Sequence, residues 1–448
     1  MTSGTLRLGV VADDVTGACD LAGRVAAAGL PTVVTIGVPA DSDGLFPGAP
    51  GESGVAVVAL KSRTAPVAEA VRESTASAER LLAGGATLLY QKYCSTFDST
   101  ARGNIGQVAD ALARVAGDAQ PRGGDAITIG TPATPGSGRT QERGDLLVNG
   151  IPLAETPMRD HPLTPMRDSD VVRVLQAQTP HRVAGLARSA SSAGGADAVA
   201  ERIRELAESG AAHILTDASD ERDLDTIARA LLIVARERPV VAAGAAGVAT
   251  ALARTAGAAN DSAAAPLERV RDRGRIIVSG SASSATRAQN AAFAGPRIVV
   301  DPHALAANGD AELDRLRAEL ATSLLGTAPV LVTATTSGDE LARAQQELGT
   351  DRAATLVEDA LAHLAAHAVA ALGVTRMIVA GGETSGAVVA RLGIDRLRVG
   401  EQVAPGVPWT TGTPTTGTPT SGGTIALLLK SGNFGGDDLF STAWEAAP

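Results

Sequence analysis

LRLGVVADDVTGACDLAGRVAAAGL, residues 6–30, decides the fold. An unbroken apolar run is followed by two aspartates, a Thr-Gly pair and an Ala-rich stretch with helical character. Short continuous apolar runs suit strands buried on both faces, and a helix directly behind one implies a right-handed crossover to a parallel neighbour. The pattern recurs at PTVVTIGV (31–38), VAVVAL (55–60), LLYQK (88–92), AITIG (126–130) and HILTDA (213–218). The small, polar, aperiodic stretch AGAANDSAAAPLE (256–268) interrupts it. A second set of strands then begins at RIIVSG (275–280) and continues with RIVVD (297–301), APVLVTAT (328–335), RMIVAGG (376–382) and TIALLLK (424–430). A helical pattern runs from about Thr350 to Leu372. The expectation is an α/β protein of two domains, each with a mainly parallel sheet flanked by helices and with the active site in the inter-domain cleft. The domains are placed at 1–258 and 271–448, joined by a linker at 259–270.

Composition narrows the function. The 448 residues are 44% hydrophobic and 20% charged, as in soluble globular proteins, but only 2% aromatic, so the cores must be built from Ala, Val, Leu and Ile. A net charge of −10 without any Lys- or Arg-rich block argues against gripping a nucleic-acid backbone. Cys19 and Cys94, the only cysteines, lie in no metal-ligand spacing and read as reduced thiols. The N-terminus lacks a basic, then apolar, export pattern, and no uninterrupted apolar stretch reaches about 18 residues. The expectation is a cytoplasmic protein with no membrane partner. TPMRD occurs twice, at 156–160 and 164–168, in a Pro-rich segment unsuited to a helix interior, and TTGTPTTGTPTSGG (410–423) reads as a mobile loop.

Three strand-to-helix turns could carry chemistry. At the end of the first strand stand Asp13 and Asp14, then Thr16 and Gly17; carboxylates at the carboxyl end of a parallel strand face the ligand crevice and can accept a proton from a hydroxyl. The alternative is that one Asp merely caps the following helix. LLYQKYCSTFDSTARGNIGQVADAL (88–112) gathers Lys92, Ser95, Thr96, Asp98, Ser99, Thr100, Arg102, Gly103 and Asn104, the cations and short hydrogen-bonding groups that a small hydroxy acid needs; a solvated turn is the alternative. RMIVAGGETSGAVVARLGI (376–394) places Gly381, Gly382, Glu383 and Thr384 at a helix start, where free N–H groups suit a phosphate. It is neither a Walker A motif nor GxGxxG. VSGSASSATRAQ (278–289) and LKSGNFGGDDLF (429–440) are similar turns, and together the three point to a nucleotide site. His363 and His367 lie four apart but lack the Glu of HExxH and read as surface or core residues, while Asp437 and Asp438 suit a helix start as well as Mg²⁺.

The strings ADDVTGACDLA, KYCSTFDSTARGNIG, PATPGSGRTQERGDLLVNGIPLAETPMRDHPLTPMRDSD (132–170), VSGSASSATRAQ, AGGETSGAV, APGVPW (404–409) and LKSGNFGGDD span nearly the whole chain. By them the sequence resembles the four-carbon acid sugar kinase family, most closely its 3-oxo-tetronate kinases. The resemblance implies an N-terminal domain that binds a small sugar acid and a C-terminal domain that binds ATP, with Mg²⁺, and phosphorylation of the 4-hydroxyl of 3-oxo-tetronate. A homodimer is compatible with it. Carried over by motif, the ATP contacts are Ser279, Gly381, Gly382, Glu383, Thr384 and Gly432. Substrate contacts fall on Asp13, Asp14, Lys92, Ser95, Asp98, Arg102 and Asn104. Asp14 is the first expectation for the base that takes the hydroxyl proton, with Asp13 and Asp98 behind it, and Lys92 and Arg102 are expected to hold the acid's carboxylate. Three departures stand out: Cys19 where small or hydroxyl residues are usual, a weak glycine turn at AAGAAGVATAL (242–252), and the Thr-Gly-Pro repeats before LKSGNFG. Threonate or erythronate kinase is the nearest alternative, and a non-catalytic sugar-acid sensor a remote one. A dehalogenase-type phosphatase would need an Asp where Ala12 stands.

Overall fold

A computed structural model describes residues 5–119, 124–160, 164–188, 194–257, 267–334, 338–416 and 423–448. Most of the expected linker lies outside these residues, as do 161–163 of the HPLTPM string and 417–422 of the Thr-Gly-Pro run. The chain divides into two compact units, Met1–Ala265 and Pro266–Pro448.

The first unit contains strands β1 (Arg7–Ala12), β2 (Thr32–Ile36), β3 (Gly54–Ala59), β4 (Leu88–Lys92), β5 (Ile127–Thr131), β6 (Arg139–Glu142), β7 (Asp145–Val148), β8 (Ile151–Pro152), β9 (Arg182–Leu186), β10 (Ala211–Thr216) and β11 (Val240–Gly244). Its helices are α1 (Val15–Ala27), α2 (Val67–Ala83), α3 (Ile105–Asp118), α4 (Val171–Gln176), α5 (Gly195–Glu208), α6 (Glu221–Val234) and α7 (Ala246–Gly257). Eight strands form a parallel sheet in the order β2-β3-β1-β4-β11-β5-β10-β9. β6, β7 and β8 make a small antiparallel sheet of their own.

The strand sequences explain the layering. Every residue of β3, β4, β5 and β11 is buried, because helices cover both faces and leave no polar side to alternate with. Val11, Val58, Leu89 and Val241 pack against Leu81 of α2 and Leu112 of α3. With few aromatics, packing relies on close backbone approach. At Gly130 any Cβ would collide with the Ala243 carbonyl of the neighbouring strand.

The second unit contains β12 (Arg275–Ser279), β13 (Arg297–Val299), β14 (Val330–Thr333), β15 (Arg376–Ala380), β16 (Arg396–Ala404), β17 (Val407–Gly412) and β18 (Ile425–Lys430). Its helices are α8 (Ser284–Ala292), α9 (Pro302–Ser323), α10 (Gly338–Leu348), α11 (Thr350–Ala370), α12 (Gly382–Arg391) and α13 (Leu439–Thr442). The order β13-β14-β12-β15-β18-β17-β16 is parallel through β18 and antiparallel beyond it. The chain's two tryptophans, Trp409 and Trp444, pack 5.9 Å apart and give their indole N–H groups to the Ala443 and Phe440 carbonyls. This unit thus concentrates its aromatic core at the C-terminus.

One expectation is corrected. The run beginning at Thr410 is not all loop: Thr410–Gly412 complete β17, buried and paired with Ile425–Leu427 of β18. Threonine's branched side chain favours the strand, and the Thr410 hydroxyl donates to the Leu427 carbonyl at 2.8 Å, so composition alone misleads there.

Candidate active site

β1 is the switch point of the first sheet: β3 pairs with it on one side and β4 on the other, and at such a point ligands bind beyond the carboxyl ends of the strands. The backbone ties these ends together. Asp13 N–H donates to the Lys92 carbonyl at 3.1 Å, Leu60 N–H to Ala12 at 2.9 Å, and Ser62 N–H to Asp13 at 3.0 Å. The loop after β3 thereby delivers Arg63, which the sequence reading did not single out.

Arg63 joins three carboxylates. Its Nε and Nη2 donate to Asp13 Oδ2 and Oδ1, both at 2.8 Å, Nη2 also donates to Asp14 Oδ1 at 2.7 Å, and Nη1 lies 3.8 Å from Asp98 Oδ2. The side chains of all four residues are 12–18% exposed, so the charges are mostly out of water and each depends on the others.

The two adjacent aspartates are pushed apart in proton affinity. Burial would raise Asp14, but Arg63, Lys92, the Thr16 hydroxyl (2.6 Å) and the Gly17 N–H (2.9 Å) together hold it below the ordinary carboxylate value. Asp14 is also the N-cap of α1. For Asp13 burial prevails over Arg63, with the Asp14 charge adding to it, and its pKa is raised. Glycine at position 17 is required because a Cβ there would strike Asp14 Oδ1 and lie 2.8 Å from Lys92 Nζ.

The other expected residues divide. Lys92, 3% exposed, ends β4 and donates to the Tyr93 carbonyl at 2.9 Å. Asn104 is buried, and its Nδ2 donates to the Ser62 carbonyl at 2.7 Å and the Ala65 carbonyl at 3.3 Å; it holds the loop that carries Arg63. Asp98 and its neighbour Phe97 both adopt left-handed backbone, φ +49° and +59°. Each such residue costs on the order of 1 kcal/mol, and such strain collects at sites where a side chain must be aimed. Thr164 donates its hydroxyl to the Asp98 carboxylate. Ser95 is half-buried and Arg102 exposed; neither side chain makes a hydrogen bond or ion pair to the protein among the described residues. Gln178 was also missed. Its amide donates to the Ser99 hydroxyl (2.9 Å) and Thr100 carbonyl (2.6 Å) and accepts from Gly106 N–H (2.9 Å), clasping the 94–104 loop. A recess beside Asp13 and Lys92 is lined by Ser62, Gln91, Tyr93 and Asn104, and among the described residues the buried Gln91 Oε1 and Tyr93 hydroxyl have no hydrogen-bond partner.

In the second unit three glycine turns meet at the carboxyl ends of β12, β15 and β18. Gly280 and Ser281 N–H groups both donate to the Ala380 carbonyl, at 3.0 and 3.2 Å, and Gly381 N–H donates to the Lys430 carbonyl at 3.0 Å. The Gly432 carbonyl accepts from Ser283 Oγ at 2.6 Å and Thr286 Oγ1 at 2.8 Å. Gly381, φ +124°, is the N-cap of α12, whose first turn holds Gly382, Glu383 and Thr384. Ser279 ends β12 with its hydroxyl buried and, among the described residues, unpaired, as is that of Ser385. A Cβ on Gly280 would clash with the Thr384 hydroxyl, and one on Gly432 with that of Ser281. Bare backbone at a helix N-terminus, with spare hydroxyls beside it, is what a phosphate chain requires.

Residues 8–252 match the family model described as a sugar-binding N-terminal domain, and 276–440 that of a nucleotide-binding C-terminal domain. The 3-oxo-tetronate kinase of Burkholderia multivorans is 45% identical over 98% of this chain and 97% of its own length. The chain belongs to the four-carbon acid sugar kinase family. The 3-oxo-tetronate kinase of Haemophilus influenzae is 36% identical over 97% of this chain and 98% of its own. Among solved structures, a Salmonella typhimurium LT2 protein described as a candidate tRNA synthase superposes with a TM-score of 0.79 at 36% identity, covering 99% of this chain and all of its own. Haemophilus influenzae protein HI1011 gives 0.71 at 34%, covering 98% and 99%.

For a kinase of this family the turns suit ATP phosphates: they present bare backbone at a helix start, and among the described residues the buried Ser279 and Ser385 hydroxyls beside them have no hydrogen-bond partner. A ready-made cage for Mg²⁺ is a different matter. Among the described residues no group of three acidic, His or Cys side chains is arranged to hold a metal, the His363–His367 pair included. Asp438 precedes α13 without a side-chain cap bond. No described helix is long and apolar enough to cross a membrane.

Proposed function

We propose that this protein transfers the γ-phosphoryl group of ATP to the 4-hydroxyl of 3-oxo-tetronate, giving 3-oxo-tetronate 4-phosphate, ADP and a proton. The observation that carries the reading is the Arg63 cluster at the switch point of the N-terminal sheet, in a chain 45% identical to a 3-oxo-tetronate kinase. Phosphoryl transfer asks little covalent help of the protein; it needs in-line positioning, charge on the phosphate oxygens and an acceptor for the hydroxyl proton.

Asp13 is placed ahead of Asp14 as that acceptor. A carboxylate with raised proton affinity is the better base, and Asp14 is already committed to capping α1 and to Lys92 and Arg63. Arg63 holds Asp13 in place and is itself held by Asp14 and Asp98. Lys92 and the exposed guanidinium of Arg102 receive the acid's carboxylate, with Ser95 and the unpaired Gln91 and Tyr93 oxygens offering hydrogen bonds to its hydroxyl and keto groups. Asn104 acts through the Arg63 loop. Ser279, Gly381, Gly382, Glu383, Thr384 and Gly432 bind the nucleotide. Where few carboxylates are on hand, as here, a Mg²⁺ would be bound mainly through the nucleotide's phosphates and would neutralise their charge. The working compartment is the cytoplasm. A tRNA-directed role is not supported by a net charge of −10.

Coupled ADP-release assays with Mg²⁺-ATP and 3-oxo-tetronate, threonate or erythronate test the reading. The expected result is a kcat/KM for 3-oxo-tetronate at least tenfold above the others. Preference for threonate or erythronate would assign the sister activity, and no ADP release with any of them would overturn the kinase reading.

A further inference from the structure

The glycine turns of the second unit enclose a buried cation. Lys430, the last residue of β18, has no exposed surface. Its ammonium donates to Thr286 Oγ1 at 2.8 Å and to the Gly432 carbonyl at 3.2 Å and lies 5.9 Å from the centroid of the Phe440 ring. These partners are neutral oxygens and an aromatic face; among the described residues no carboxylate contacts it. An unpaired buried charge is costly, and here burial alone brings the pKa down to about 7. The charged groups on the surrounding elements are Arg287 of α8, Glu383 of α12, and Asp437 and Asp438 before α13; none touches the ammonium.

A cation kept at such cost without an acidic partner needs an anion from elsewhere. Lys430 lies in the junction of the turns: its carbonyl accepts Gly381 N–H, and its ammonium shares the Gly432 carbonyl with Ser283, the N-cap of α8, and Thr286 of its first turn. A triphosphate on these turns would bring the missing negative charge.

We propose that Lys430 is the positioning cation of the nucleotide site, fixing the Gly432 turn against the start of α8 and supplying the charge that the bound phosphates complement. The inference rests on the nucleotide reading of the turns. Its consequence is that nucleotide binding favours the protonated lysine, so that above about pH 7 binding draws a proton from solvent and weakens as pH rises.

Calorimetric titration of the full chain with ATP at pH 6, 7 and 8.5, in buffers of different ionisation enthalpy, reads both affinity and protons taken up. The expected wild-type result is uptake approaching one proton at pH 8.5 and an affinity falling at least tenfold from pH 6 to 8.5. Lys430→Met should bind ATP at least tenfold more weakly at pH 6, without proton uptake and with an unchanged KM for the acid. Lys430→Arg, which keeps the charge, should bind without the pH dependence. Wild-type binding without proton uptake at pH 8.5, or a folded Lys430→Met with wild-type affinity, would overturn the proposal while leaving the nucleotide site intact. Failure of the wild type to bind ATP at any pH would overturn both.

Discussion

At the scale of single residues, the assignment turns on two adjacent aspartates that sequence cannot tell apart. Both follow the same strand, and only three-dimensional neighbours give one a raised and the other a lowered proton affinity. Asp13→Asn is therefore expected to reduce kcat by about 10²–10⁴-fold with little change in the KM for ATP. Asp14→Asn keeps a capping side chain and should cost less in kcat than Asp13→Asn, so measuring both kcat values ranks them; the reverse order would return the base role to Asp14. The pH dependence has a definite sign. A base works deprotonated, and Asp13 loses its proton at higher pH than an ordinary aspartate, so the acid limb of kcat/KM should lie above the usual carboxylate range and vanish from any residual activity of Asp13→Asn. Arg63 was not legible because nothing in LKSRTAP marks a ligand loop. Only the pairing of β3 with β1, a long-range fact, brings it to Asp13. Gln178 was hidden for the same reason, being distant in sequence from the loop it holds.

At the scale of elements, much was legible where physics is local. The buried strands β1, β3, β4 and β5 read as apolar runs, and α11 read as a helical pattern, because double burial and helical periodicity leave plain marks on sequence. The β16–β17 hairpin left none: β16 alternates exposed Arg396 and Arg398 with buried Leu397 and Val399, and its pairing shifts register twice. The strands of the small β6–β7–β8 sheet are only two to four residues long, too short to show a period. The glycine turns, by contrast, were visible as composition, since bare backbone demands glycine whatever the surroundings. Gly280→Ala tests the turns as a unit. Its methyl would strike the Thr384 hydroxyl and lie 3.0 Å from Leu361 Cδ1, so α12 must shift from the turn. The KM for ATP should rise at least tenfold while that for the acid stays within about twofold, as steady-state kinetics with each substrate varied would show.

For the whole molecule, composition and order along the chain carried the division of labour. A sugar-binding N-terminal part and a nucleotide-binding C-terminal part are matched in that order, with a relative's identity spread over 98% of the chain. The acidic balance leaves recognition of anions to a few placed cations, for which Lys92, Arg102 and Lys430 are the proposed ones. What composition cannot carry is the choice among four-carbon acids, which differ by a carbonyl or a hydroxyl and so by one or two hydrogen bonds inside the recess. The most direct measurement is phosphorus and proton NMR of the product made from 3-oxo-tetronate and ATP. The account predicts a single phosphate ester coupled to the C4 methylene protons, formed with one equivalent of ADP. An ester on the C2 hydroxyl, or ATP consumed to free phosphate with the acid unchanged, would contradict it.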